Sequence, residues 1–444
     1  MGEKARNLVF LGLVGWVLAG CNANPAAESG TRVPLSEEEK VFAEAVRLGV
    51  PLKSSDLDLP KPQPNEDAAP IFEEISKLIS KDKKFEPDLK KLEEVTKDRV
   101  ATEAELKRFA PYFDASASLA TKKIYVPRKP WVAGYSKTLE PNLEIHLRHV
   151  AILIVRRAEN RLAAKNFEGT LSDLRLALKI PDLLWQDHSF FSCLMASQIS
   201  MRVHQVIRDM ASFMRRDSRF LQSLLGISKE PVIPTLRATF RAELFPMIQT
   251  LSYIDQTKRK EPSEVTEAEL PNNPVTKLAY IDLIRAANQI FRRGEEASWD
   301  EKAIEDALQE IYADLDVTPR PAKLFLKEIL PTWAKALTRQ RIAIARAALT
   351  RCYLALLIDQ QVSNRFRSDL RAFPVYGRDP FSPLQPLMLK KNKEGMILYS
   401  VGYNGIDDGG KSERVDLSGD ELMSPKLRAI PDDISFRIPK SVMK

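Results

Sequence analysis

The strongest constraint on the fold is a helical spacing of apolar residues that runs through most of the chain up to Gln360. The clearest stripe comprises Leu143, Leu147, Val150, Ile154, Ala158 and Leu162, and a second comprises Leu171, Leu174 and Leu178. Steps of three or four residues place such side chains on one face of a helix. Between the stripes, Lys165 and Asn166 favour a left-handed helix stop. We therefore predict two antiparallel helices, the second of which closes at Pro181.

This helical pair resembles one tetratricopeptide-type unit, although no second copy at a fixed period establishes a repeat array. Strand-like patterns occur near the C-terminus, at Leu387–Leu389, Met396–Val401 and Ile434–Ile438. The chain of 444 residues has only 17 Gly against 29 Pro, which favours helices interrupted by prolines. The predicted fold is therefore mainly α: a body of antiparallel helical pairs followed by a small α/β end.

The domain boundaries follow from the same patterns. Residues 1–20 form a signal segment and residues 21–70 a tether and extended segment. An α-helical domain is expected over 71–330, and a helix with a small β-hairpin domain over 331–444. The boundary lies between two helical patterns that are predicted to be separate helices, Ala322–Leu330 and Thr332–Gln360.

The N-terminus reads as an export signal. Lys4 and Arg6 precede the apolar run Leu8–Leu18, which is too short to span a bilayer comfortably. The run ends in Leu18-Ala19-Gly20-Cys21, which resembles the lipobox of bacterial lipoproteins. The resemblance implies cleavage before Cys21 and acylation of that residue. The alternative is an ordinary secretory signal, or an anchor, with a chance cysteine.

Lipidation of Cys21 predicts that the protein is held at a membrane of the bacterial cell envelope and faces the periplasm. Several acyl chains anchor stably because each buried CH2 contributes about 0.8 kcal/mol. Asn22 follows the cysteine where an Asp would resemble an inner-membrane retention signal, so the outer membrane is slightly favoured.

The charge balance is mildly basic, with 67 Lys and Arg against 60 Asp and Glu. Lysines cluster without interleaved aromatic residues at positions 81, 83–84, 90–91 and 390–391. Such clusters are typical of solvated helix ends, and the alternative is contact with anionic head groups or wall polymers. No nucleic-acid partner is expected for an exported protein.

Cysteine and histidine offer little chemistry. Cys193 and Cys352 lie in apolar helical patterns, and an oxidising compartment permits a disulfide between them without requiring one. His146 and His149 share a helix at a spacing that could bind a metal, but no third ligand stands at a characteristic distance. His188 could pair with a carboxylate. No catalytic or cofactor-binding residue is assigned.

An acidic, glycine-rich segment near the C-terminus is a candidate calcium site. Its oxygen donors are Asp379, Asn404, Asp407 and Asp408, and nearby glycines allow backbone carbonyls to turn inward. Calcium prefers six to eight such oxygen ligands. The spacing does not match an EF-hand, and the alternative is a hairpin end whose side chains cap their own backbone.

The same segment carries a specific resemblance. Asp379-Pro380-Phe381 followed by Leu398–Gly405 and Asp407–Gly410 resembles the C-terminal part of type II secretion pseudopilins. It is also similar to a family of exported lipoproteins of planctomycetes and verrucomicrobia that carries a DPF…LYSVG…DDGG signature. The resemblance implies location, an α/β end and a calcium loop, but no reaction. Asn404 stands where the family usually has Asp, which removes one charge.

Three hypotheses of function follow. The first is a lipid-anchored, non-catalytic scaffold or binding module for an unidentified envelope protein or polymer. The second is an envelope hydrolase acting on wall or glycan material. The third is a calcium-stabilised secretion accessory protein.

Overall fold

The computed structural model describes residues 36–53, 56–57, 62–96, 99–125, 142–253, 274–317, 322–367, 369–382, 385–402, 404–411, 423 and 433–443. The signal segment, the lipobox and Cys21 lie outside these residues. The lipidation of Cys21 therefore stays a prediction.

The described residues form fourteen α-helices and one small sheet, in agreement with the predicted mainly helical fold. The helices are α1 (Glu37–Leu48), α2 (Ala69–Lys81), α3 (Phe85–Val95), α4 (Glu103–Lys107), α5 (Ala110–Ala117), α6 (Leu143–Ala163), α7 (Phe167–Leu184), α8 (Phe190–Phe213), α9 (Ser218–Ile227), α10 (Leu236–Tyr253), α11 (Pro274–Glu296), α12 (Glu301–Val317), α13 (Lys323–Ser363) and α14 (Lys440–Met443). The strands are β1 (Met388–Lys391), β2 (Gly395–Ser400) and β3 (Ile434–Pro439).

Helix α1 is delimited by local signals. Ser36 accepts a hydrogen bond from Glu39 N, while the Glu39 carboxylate accepts from Ser36 N, which is a capping box. The helix ends at Gly49, whose φ of 74° is the left-handed conformation that glycine adopts readily. Both ends of α1 are therefore set by local side-chain and backbone chemistry.

Helices α6 and α7 form the predicted antiparallel pair. The turn contains Lys165 at φ 58°, and the Asn166 side chain caps α7 by accepting from Gly169 N at 2.9 Å. Farther along the pair, Arg157 and Arg161 both form ion pairs with Asp173. The prediction that Pro181 closes the second helix is wrong, since α7 continues through Pro181 to Leu184.

Helices α8 and α13 run side by side in the same direction. Phe190 stacks on Trp333, Arg208 donates to Thr350 Oγ1, and the Ser212 hydroxyl lies 2.7 Å from the Tyr353 hydroxyl. The sequence separation across these contacts stays nearly constant, at 142 for the second pair and 141 for the third. A constant separation identifies parallel helices.

Helix α13 has 41 residues and contains Pro331. The two separate helices predicted on either side of residue 331 are therefore one helix. A proline inside a helix removes one hydrogen bond and costs about 3 kcal/mol. Burial of the flanking side chains offsets this cost, since Leu330 is 0% and Trp333 1% exposed.

Two hydrophobic cores share this long helix. The first core contains apolar residues of α2–α9, the sheet and the stretch Ile342–Leu357 of α13. The second contains residues of α1, α10, α11 and α12 together with Ala322–Leu337. Phe190, at the start of α8, belongs to the second core, Leu194 packs against both cores, and the other buried apolar residues of α8 belong to the first. The α8/α13 pair therefore connects the two cores.

The strands form an antiparallel sheet in the order β1-β2-β3, close to the predicted positions. Leu398 on β2 lies opposite Leu389 and Phe436, and it is fully buried. The Phe436 ring packs edge-on against Tyr353, with the ring centroids 4.9 Å apart. This contact fixes the sheet to the second half of α13.

None of the helices in the described ranges combines the length and the apolar composition needed to cross a bilayer.

Candidate functional site

Asp379, the first predicted calcium ligand, is buried and has a structural task. One carboxylate oxygen accepts from Phe381 N and Ser400 Oγ, and the other accepts from Val401 N. Burial raises the pKa of this carboxyl group, while the hydrogen bonds from Phe381, Ser400 and Val401 favour its charged form. Asp379 therefore ties the turn before β1 to the end of β2.

The other three predicted ligands lie together in the loop after β2. Asn404 donates to Asp408 Oδ2 at 3.1 Å and accepts from Ile406 N at 2.7 Å. Asp407 accepts from Gly409 N and from the Tyr399 hydroxyl, both at 2.9 Å. These bonds organise an exposed loop, which matches the interpretation that the side chains cap their own backbone.

The structure brings together three of the four predicted calcium ligands and places Asp379 apart from them. Asp379 is engaged by three donors away from the loop, whereas Asp407 and Asp408 each bring one carboxylate to it. Within the described ranges, no group of three or more His, Cys, Asp or Glu side chains is arranged to hold a metal ion. The calcium site therefore stays a prediction.

The two predicted helical cysteines are free, buried thiols. Because α8 and α13 are parallel, Cys352 lies beside the α8 residues just before Ser212, roughly 18 residues from Cys193. At 1.5 Å per residue this is about 27 Å, far beyond the reach of a disulfide. Burial raises the pKa of Cys352 to about 12, so this thiol is unreactive.

The histidines do not converge. His146 Nδ1 lies 2.8 Å from Ser76 Oγ, whereas His149 Nδ1 lies 3.0 Å from Glu86 Oε1 without hydrogen-bond geometry. The two imidazoles therefore face different neighbours. His204 is buried in the α8/α13 interface.

A carboxyl cluster, which we define as Glu144, Asp187 and Glu243, surrounds the start of α8. Asp187 accepts from Ser189 Oγ at 2.7 Å and from Ser192 Oγ at 2.5 Å. Glu243 accepts from Phe190 N at 3.1 Å. The first N–H groups of a helix have no partner within the helix and favour nearby negative charge. The cluster therefore occupies the electropositive end of α8.

Burial and the charge of Asp187 raise the pKa values of the two glutamates in the cluster. Burial, with the charge of Asp187 as a smaller cause, raises the pKa of Glu144 to about 7. Burial likewise raises the pKa of Glu243 to about 7, with Asp187 again contributing. Each residue keeps part of its surface exposed although its carboxyl group is enclosed by protein. At neutral pH the cluster therefore holds protons that isolated carboxylates release.

Ser192 contacts two members of the cluster. Its hydroxyl donates to Asp187 and also contacts the Glu144 carboxyl group. The contact with Ser192 favours the charged form of Glu144, but the effect of burial is larger and raises the pKa. The neighbouring His188 adopts φ 61°, and burial lowers its pKa, which favours the neutral imidazole.

Reasoning from the sequence missed this cluster. Its members come from three segments that are far apart in the chain, and no local pattern joins them. Ser189 was the available local signal, since it caps α8 by accepting from Ser192 N at 3.1 Å. A cap predicts where the helix begins but not which distant carboxylates meet it.

Searches of protein-family models, curated proteins and solved structures find no match to this chain.

Proposed function

We propose that the protein is a lipid-anchored module of the cell envelope that binds a partner rather than transforming one. The observation that carries this proposal is Leu18-Ala19-Gly20-Cys21 placed shortly before a folded body. About 15 residues separate Cys21 from the capped start of α1 at Ser36. An extended segment of that length spans at most about 50 Å, so the body stays close to its membrane.

Helix α1 supports the anchoring role because it is firmly joined to the body. Phe42 stacks on Tyr280 of α11 at a centroid distance of 5.9 Å, and Glu44 forms an ion pair with Arg292 at 2.5 Å. Asn288 of α11 also donates to Val41 O at 2.9 Å. The tether thus attaches to the second core, which leaves the first core and the sheet available to a partner.

The partner surface in this proposal lies on the helical pairs of the first core. Antiparallel pairs such as α6/α7, if they stack as in tetratricopeptide proteins, form concave surfaces that suit an envelope protein or polymer. The pseudopilin-like character of the sheet end belongs to the same proposal, in which the hairpin β1/β2 offers a second contact.

Replacing Cys21→Ser in the full-length chain tests the anchor. The wild-type protein is expected in the membrane fraction after carbonate washing, and the variant is expected in the soluble envelope fraction. The serine variant remaining in the membrane would contradict the proposal. Covalent crosslinking in intact cells, followed by purification in detergent, then tests for a partner, and failure to recover one repeatedly would count against the binding role.

A second candidate function is an envelope hydrolase acting on glycan or wall material. The carboxyl cluster favours it, because a carboxyl group with a pKa near 7 can act as a general acid beside a second carboxylate. Incubating the protein with purified wall material tests this candidate. Release of soluble glycan by the wild type but not by Glu144→Gln or Glu243→Gln supports the hydrolase, and equal release excludes the cluster as its catalytic centre.

A further inference from the structure

Arg208, in the middle of α8, is a buried cation with an unusual set of partners. It is 3% exposed, and its guanidinium donates to Thr350 Oγ1 at 2.7 Å and to Gln205 Oε1 at 2.6 Å. Its Cζ lies 5.2 Å from the centroid of the Phe436 ring. Its Nε–H has no hydrogen-bond partner. One donor of a buried guanidinium is therefore unused.

No carboxylate within the described ranges forms an ion pair with Arg208. The neighbouring Asp209 accepts instead from Gln205 Nε2 at 2.9 Å, so the neutral amide of Gln205 stands between the two charges. Buried charges are usually neutralised by direct ion pairs, as Asp173 is by Arg157 in the same core. The charge of Arg208 lacks that arrangement.

His204 lies one helical turn before Arg208 and is 1% exposed. Its Nδ1 also has no hydrogen-bond partner. Burial, followed by the charges of Arg208 and Arg351, lowers the pKa of this imidazole to about 3, so it is neutral at physiological pH. A neutral imidazole can donate one N–H to a ligand without adding charge.

Two more arginines of α13 complete what we call the arginine seam: His204, Arg208, Arg346 and Arg351. Burial is the larger cause, and the nearby charge of Arg346 the smaller one, of a pKa of Arg208 that is lowered to about 10. Arg351 forms an ion pair with the exposed Glu230 and lies over the Tyr376 ring at 5.3 Å. Arg346 and Arg351 are half-buried, so they define the solvent side of the seam.

We propose that the arginine seam binds a phosphate-type oxyanion between α8 and α13. The ligand would accept from Arg208 Nε and His204 Nδ1, the two unpartnered buried atoms, and would neutralise the positive charge there. Guanidinium groups match the geometry of phosphate oxygens, and hydrogen bonds between charged partners are stronger than neutral ones. A free phosphate and a phospholipid head group present the same oxygens, and the experiment below distinguishes the two sources.

The test uses the mature lipidated protein in nonionic detergent and inorganic phosphate as the probe. Isothermal titration calorimetry is expected to show saturable binding of one phosphate per chain. Arg208→Gln should weaken binding about tenfold or more, because it removes a charge-assisted hydrogen bond. The matched control is Arg202→Gln, an exposed arginine on the same helix, which should bind as the wild type does.

Parallel titrations with micelles containing phosphatidylglycerol or phosphatidylcholine distinguish the sources. Binding of a phospholipid without binding of inorganic phosphate identifies a head group, and binding of inorganic phosphate identifies the free ion. If neither binds saturably, or if Arg208→Gln binds like the wild type, the proposal is overturned. If Arg208→Gln does not fold, Arg346→Gln decides in its place: weakened binding supports the site and unchanged binding overturns it.

Discussion

The carboxyl cluster and the arginine seam, both on the parallel helices α8 and α13, differ in how their buried charges are stabilised. The carboxyl cluster lies at the start of α8, where Phe190 N and the hydroxyls of Ser189 and Ser192 donate to it. The arginine seam lies about 27 Å farther along the helix, beyond its unpaired N–H groups. The cluster is satisfied by its own surroundings, whereas the seam retains unused donors at Arg208 and His204.

The difference shows that the position of a charge along a helix decides what must stabilise it. At a helix start, backbone donors and the macrodipole stabilise carboxylates, and the remaining repulsion is relieved by uptake of a proton. In a helix interior the backbone groups already bond each other. An arginine there depends on side chains, an aromatic ring or a ligand.

The largest expected effect tests whether the α8/α13 pair is more tightly packed near the carboxyl cluster than near the arginine seam. Trp333→Ala should lower the free energy of unfolding by about 3–5 kcal/mol, because it removes a buried indole that stacks on Phe190 and meets Phe240 edge-on. Phe436→Ala, at the seam end, should cost less because Phe436 is only half-buried. Urea unfolding of both variants makes the comparison, and equal costs would contradict it.

The second prediction concerns pH at the carboxyl cluster. Glu144 and Glu243 have folded pKa values of about 7, above the unfolded value of about 4.5, so the folded state holds extra protons between these values. Their contribution to stability is therefore fully present below about pH 4.5 and is lost as the pH rises to about 7. The expected loss is about 3 kcal/mol for each of the two glutamates. In Glu243→Gln the decline between pH 5 and 8 should be shallower, and an unchanged decline would contradict the assignment.

The contribution of the arginine seam to stability should change with pH in the direction opposite to that of the carboxyl cluster. His204 has a folded pKa of about 3, below the unfolded value of about 6.5, so its contribution is present above pH 6.5 and is lost as the pH falls. At pH 5.5 the loss is about 1.4 kcal/mol. Thermal unfolding of His204→Gln between pH 5.5 and 7.5 should show a weaker dependence than that of the wild type. The same slope in both proteins would contradict a neutral buried imidazole.

The loop that contains Asp407 and Asp408 offers a third case, because its carboxylates lie near the surface whereas those of the carboxyl cluster are enclosed by protein. If it binds calcium, 1 mM Ca²⁺ should raise the melting temperature by about 2–4 °C through preferential binding to the folded state. The double variant Asp407→Asn, Asp408→Asn should abolish the rise. The exposed Glu394→Gln serves as the matched control and should keep it. An unchanged midpoint in the wild type would leave the loop as a turn.

Local signals in the sequence predicted much of the fold. The stripe from Leu143 to Leu162 and the three strands follow from spacing and side-chain chemistry within a few residues. Pro331 misled the prediction, because the burial of Leu330 and Trp333 that sustains the helix depends on partners distant in sequence. The carboxyl cluster and the arginine seam could not be predicted from the sequence either. Each consists of residues that are far apart in the chain, and their contacts depend on how distant helices pack against each other.

The anchor at Cys21 is the central claim, and mass spectrometry of the mature N-terminus tests it most directly. The account predicts that the protein isolated from membranes lacks residues 1–20 and begins with Cys21 carrying a diacylglyceryl group and an N-acyl chain. A mature chain that retains those residues, or begins with an unmodified Cys21, would contradict it.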